Sequence, residues 1–199
     1  MLDSGAEGPG FFLKPNSTAV IRSHRAPCSR FPKQVSLQLS SEQSVGDVAR
    51  AMVSAGIPCT KEPLGLSRSD GKRPDGLSLV PWEAGKPLTW DVTVICPLAD
   101  SYVAAAAREA GSAAEEAANS KSAKYSNIQA HHIFQPVAVE SLGPISASGR
   151  VFLSILGRKL ADQSGDDREI SFLFQRLSVL IQLYNAILLH GCFVKEEEE

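Results

Sequence analysis

Apolar residues recur at two different periods along this chain, and the switches between them mark the elements. Val45, Val48, Ala49, Met52 and Val53 return at three- and four-residue steps. That predicts a short helix over residues 45–55, with Gly56 placed to end it. Residues 57–66, 77–80 and 88–96 read as three strands. Pro74 leads into the second, where a missing N–H suits a strand start or an edge. The third is rich in the β-formers Trp90, Val92, Thr93, Val94 and Ile95. Glu83-Ala84-Gly85-Lys86-Pro87 between them is a hairpin turn. Residues 104–128 are alanine-rich and helical, with a break expected at Gly111, and 133–139 form a fourth strand bounded by Gly143-Pro144. Two helices follow, over 148–160 and from Asp166-Asp167 onward. The second carries Ile170, Leu173, Phe174, Leu177, Leu180, Ile181, Tyr184, Ile187 and Leu188 as its apolar stripe. Helix, three strands, helix, strand, helices is a meander followed by a helical crossover. It predicts an α/β fold with a mixed central sheet and helices packed on it.

Length changes this picture little: 199 residues suffice for one domain with a sizeable core plus extensions. Residues 1–43 read as a poorly ordered lead-in holding Arg22, His24, Arg25, Arg30 and Lys33, bases that are either a solvated tail or phosphate contacts. Residues 44–142 form the core, 143–193 a C-terminal helical extension packed on it, and 194–199 an acidic tail. Net charge is −2; without the four terminal glutamates, 18 acids stand against 20 bases. Neither balance is the basic footprint of a tight nucleic-acid binder, so any such affinity must come from local patches or from a missing neighbour. Cys28, Cys59, Cys96 and Cys192 are scattered without zinc-ligand spacing, and residues 1–10 carry no secretory core, so an intracellular setting is expected. Residues 177–194 carry no Lys, Arg, Asp or Glu. Gln182, Asn185, His190 and the helical period make that run a buried helix with a possible dimer face, in preference to a membrane span.

Two carboxylates carry the candidate chemistry. Asp75 sits just before the second strand and Asp91 in the middle of the third, interrupting Trp90-Asp91-Val92-Thr93-Val94-Ile95. Paired strands bring such residues side by side. Asp91, Thr93 and Ile95 share one face. If a helix covers that face, a carboxylate there needs a partner, which a cation shared with Asp75 would supply; if not, Asp91 and Thr93 both stand in water. Ala114, Ala118, Lys121, Tyr125 and Ile128 recur at four, three, four and three residues. At roughly 100° per residue this centres Lys121 in the apolar stripe of its helix, where it snorkels outward or meets an anion. Lys124 lies on the flank, suited to solvent or a DNA backbone. Adjacent His131 and His132 point to opposite faces of a strand and chelate poorly. No P-loop, dinucleotide or nucleophile-elbow pattern is present.

Arg73-Pro74-Asp75, the strand Asp91-Val92-Thr93-Val94 and Lys121-x-x-x-Tyr125 together resemble the restriction-like endonuclease domain of site-specific non-LTR retrotransposons, a branch of the PD-(D/E)xK nuclease superfamily. Ile57-Pro58-Cys59, Glu62-Pro63 and Gly71-Lys72-Arg73-Pro74-Asp75-Gly76 resemble the 3′ part of reverse-transcriptase-related reading frames. The usual superfamily lysine, two residues after the second acid, is replaced by Thr93; the retrotransposon branch takes its lysine from the next helix, where Lys121 stands. Over residues 45–140 the resemblance implies an αβββαβ restriction-endonuclease-like core and a nuclear, metal-dependent nicking enzyme acting on double-stranded DNA. Asp75 and Asp91 would bind Mg²⁺ or Mn²⁺, and Lys121 would orient water or stabilise the transition state. Tyr125 would position Lys121, contact phosphate, or be a plain core tyrosine. Glu62 would add an acid near the metal or be a surface glutamate. Lys72 and Arg73 would hold the scissile phosphate or form an ordinary turn cluster. No Cys/His knuckle precedes Glu62 and no polymerase signature is present. DNA binding by the chain alone is therefore expected to be weak, and a catalytically inactive relic or adopted DNA- or protein-binding module is the alternative.

Overall fold

The computed structural model describes residues 33–66 and 71–193. Their order is α1 (Lys33–Ser54), β1 (Cys59–Lys61), β2 (Gly76–Glu83), β3 (Lys86–Ile95), α2 (Val103–Ala106), α3 (Ser112–Lys124), β4 (Ile133–Glu140), α4 (Ala147–Ser164) and α5 (Glu169–Phe193). A single 3-10 turn, Ser126–Ile128, follows α3. The strands form one mixed sheet in the order β1-β2-β3-β4. The first three run antiparallel, and β4 lies parallel to β3 with Asp91 opposite Pro136 and Thr93 opposite Ala138. An α/β architecture with helices after the sheet is thus present.

Alternation along β3 sends successive side chains to unlike surroundings. Leu88, Trp90 and Val92, with Val137 and Val139 of β4, face a thick core. That core is built from Val48 and Met52 of α1, Phe152, Leu153 and Leu156 of α4, and Leu173, Leu177 and Ile181 of α5. Ile95 and Ala138 face the other way, against Ala113, Ala114, Ala117 and Ala118 of α3. The helices after β4 are therefore part of the main core, and the α3 side is a thin second layer made of alanine. Gly111 takes a φ of 90°, a conformation open to glycine, and divides α2 from α3 where the sequence suggested a break.

Several element boundaries differ from the sequence reading. α1 starts at Lys33, inside the segment expected to be irregular. No Pro or Gly interrupts residues 33–45, so a polar run lacking an apolar stripe continues the helix backwards; the bases Arg22, His24, Arg25 and Arg30, Cys28 and the tail 194–199 lie outside the described residues. β1 is only three residues long. Glu62 turns to a φ of 44° and Pro63 has no N–H to donate, so the ladder stops there. β2 is longer than expected and reaches Glu83, leaving Ala84-Gly85 as the turn.

The expectation of a buried C-terminal helix is met on one face of α5 only. Leu173, Leu177 and Ile181 are buried, whereas Val179, Leu183, Ile187 and Leu189 are more than half exposed. Glu169–His190 is long and apolar enough to span a membrane by length and composition, yet its buried stripe is built into the α1–α4 core.

Gly76 and Trp90 are direct partners across β2 and β3, and a Cβ at position 76 would fall 2.0 Å from the indole. The indole therefore lies flat against the backbone immediately after Asp75. Gly76→Ala is expected to cost about 1–3 kcal/mol of stability through overpacking, read as a lower denaturation midpoint with unchanged m-value.

Candidate functional site

Asp91 occupies the middle of β3 on the α3 side and is 3 % exposed. A carboxylate so placed needs a counter-charge. Lys121, in the last turn of α3, supplies it: its Nζ donates to Asp91 Oδ1 at 2.6 Å. The alanines at 113, 114, 117 and 118 let α3 approach the sheet closely enough for this contact. Lys121 keeps 29 % of its side chain exposed, so the ammonium joins a buried acid to the surface.

Asp75 reaches the same place from the start of β2. Its N–H donates to the Trp90 carbonyl and its carbonyl accepts from the Glu62 N–H, both at 3.0 Å. Its carboxylate Oδ2 accepts from the Val92 N–H at 2.6 Å. The β2–β3 ladder begins at Gly76 opposite Trp90, so the Asp75 side chain provides Val92 with an acceptor just beyond the ladder's end. This sets Asp75 beside Asp91. Burial, and next the Asp91 charge, push the Asp75 carboxyl up to about 7, against the opposing pull of the Val92 N–H and the Lys121 ammonium.

Tyr125 caps α3 and is 2 % exposed. Its hydroxyl donates to the Arg73 carbonyl at 2.9 Å and its ring lies 4.7 Å from that of Phe134. Of the roles left open by the sequence, the geometry matches a core tyrosine that ties the Arg73-Pro74-Asp75 turn to the end of the helix bearing Lys121. Glu62 lies at the rim with its side chain 72 % exposed, and its carboxylate meets Arg73 Nη2 at 3.4 Å. Arg73 Nη1 also reaches the Glu62 carbonyl at 3.4 Å, so the guanidinium spans both groups of one residue. The Glu62 charge adds to those raising Asp75. Lys72 and Lys124 are exposed, the latter in the last turn of α3. Thr93 lies one step beyond Asp91 on the same strand face. His131 and His132 fall in the turn before β4.

Two contributors were not foreseen: the Val92 amide, and Trp90, whose indole sets the backbone after Asp75 and whose buried Nε1 has no hydrogen-bond partner. The one sequence signal for the second is a glycine placed across from a tryptophan. Among the described residues no cluster of three or more His, Cys, Asp or Glu is gathered that could hold a metal ion. The chain matches no protein-family model and no curated protein.

Removing the ammonium would leave Asp91 charged and unpaired. Lys121→Ala is expected to cost about 2 kcal/mol, below the value for a fully buried pair because Lys121 is partly solvated. Urea denaturation should also show Asp91→Asn recovering part of that loss in the double variant. Asp75 gives a pH signature. In the fold it holds its proton to about 7, whereas an unfolded aspartate releases it near 3.8. Between those values the folded state binds more protons, so this group's contribution to stability falls as pH rises, and is flat outside the window. Thermal melts from pH 4 to 8 should show Asp75→Asn gaining stability relative to the parent as pH increases.

Proposed function

We propose that this chain is a metal-dependent DNA endonuclease domain that nicks one strand of a duplex, with an αβββαβ restriction-endonuclease-like core of the kind that non-LTR retrotransposons carry. The observation behind this reading is the convergence of Asp75, Asp91 and Lys121 at one partly open spot, from a strand start, a mid-strand position and the following helix. Two adjacent carboxylates, one raised by the charge of the other, fit a hard divalent cation such as Mg²⁺ or Mn²⁺, because a cation relieves the like-charge repulsion that the proton on Asp75 otherwise relieves. Bound there, the cation would lower the pKa of a water and polarise a phosphoryl oxygen.

The remaining roles belong to the chain's own groups. Lys121 holds its ammonium between Asp91 and solvent, placed to stabilise charge on the phosphoryl oxygens as water attacks phosphorus and the bond to the leaving oxygen breaks. Arg73, with Lys72 and Lys124 at the rim, supplies positive charge for the strand on either side of the cleaved bond. Tyr125 fixes the distance between the Asp75 turn and the Lys121 helix. DNA is the partner in this reading, and the nucleus the place of action.

A catalytically inactive relic or adopted DNA- or protein-binding module of the same fold is the second reading, favoured by the ammonium of Lys121, which already pairs with Asp91 without a cation. Supercoiled plasmid with Mg²⁺ or Mn²⁺ separates the two. The nuclease reading expects relaxed circles from the parent and a loss of at least about a hundredfold in Asp75→Ala, within the effect of removing a principal electrostatic contributor. Equal nicking by both proteins would sink it, and calorimetry with no heat at millimolar Mn²⁺ would favour the binding module.

A further inference from the structure

Arg150, Ser154 and Arg158 stand at i, i+4 and i+8 on α4, one line along that helix. With Val151 of α4 and Phe174 of α5 they line an open cavity of about 360 Å³. The two arginine positions lie ~12 Å apart along the helix axis at 1.5 Å per residue. Ion pairs tie Arg50, Arg73, Arg168 and Arg176 to carboxylates. Among the described residues no carboxylate lies within ion-pair distance of Arg150 or Arg158. The groove thus joins two guanidiniums without an ion-pair partner among the described residues, a hydroxyl that donates to the Arg150 carbonyl, and a half-buried aromatic ring.

We propose that this groove binds a single strand of nucleic acid, the guanidiniums meeting phosphates and the Phe174 ring meeting a base. Positive charge that follows a backbone, beside an aromatic platform, is the chemistry by which proteins hold such strands without reading sequence. An acidic peptide shares only the charge; the choice of nucleic acid rests on the nuclease reading above. α4 packs on the thick-core face of the sheet and Lys121 on the other, so a strand in the groove is remote from the aspartates and serves as an anchor.

Fluorescence anisotropy of labelled oligo-dT in EDTA tests this with the full chain, where no cation aids the aspartates. Arg150 and Arg158 are exposed, so the double alanine variant should keep its fold, checked by circular dichroism. Binding should weaken about tenfold, and the slope of log K against log salt should shrink by about 1.4, the value for two phosphates on a single strand. An unchanged affinity and slope would overturn the proposal. So would arginine-dependent binding of a Val194-to-Glu199 peptide with none of oligo-dT. Plasmid nicking scored in parallel separates the two ideas. Arginine-dependent oligonucleotide binding without nicking supports the groove and defeats the nuclease; nicking with arginine-independent binding does the reverse.

Discussion

A lysine ammonium 2.6 Å from a carboxylate that is 3 % exposed is the contact around which this molecule is arranged. Asp91 stands between Trp90 and Val92 in a strand with neighbours on both sides, where a lone charge is strongly unfavourable. Its partner must come from the layer above, and that layer must be thin. The alanine composition of α3 follows from this requirement. Four buried alanines contribute little apolar area, far less than the leucines and phenylalanine of α4, but they allow the close approach that an ion pair needs. The break at Gly111 belongs to the same account, since it frees α3 to run along the sheet independently of α2.

The two faces of the sheet accordingly divide their tasks. Stability comes mainly from the α1–α4–α5 side, where large side chains are closely packed; polar chemistry sits on the α3 side. Trp90 connects them. Its ring belongs to the thick core, yet it bears on Gly76 and so fixes the backbone that follows Asp75. Tyr125 makes a second connection, from the end of α3 to the Arg73 carbonyl. The spacing of the two acids and the lysine is therefore set by packing at some distance from any of them.

The element order was legible in the sequence, and so were the faces on which Asp91 and Lys121 stand, because these follow from period; that Lys121 meets an anion in place of snorkelling to solvent is what the structure adds. Alternation decides the face of Asp91, and a 100° step decides the face of Lys121. What escaped has another physical origin. The first turns of α1 carry no apolar stripe, so nothing in the pattern announces them. β1 ends where Glu62 adopts a left-handed turn, a backbone event without a side-chain signature. In α5 a continuous apolar run looked the same whether one face or all faces were buried. The Val92 amide and the Arg73 carbonyl are main-chain groups present at nearly every position, and only tertiary approach singles them out.

The Val92 amide belongs to two structures at once. It lies where the sheet stops being held by backbone and begins to be held by a carboxylate. Whatever draws the Asp75 oxygen toward itself must loosen the last rung between β2 and β3, and whatever frays that rung must release the oxygen. The mechanical state of the end of the β2–β3 ladder and the chemical state of the aspartate are one variable, readable at a single proton by its exchange with solvent.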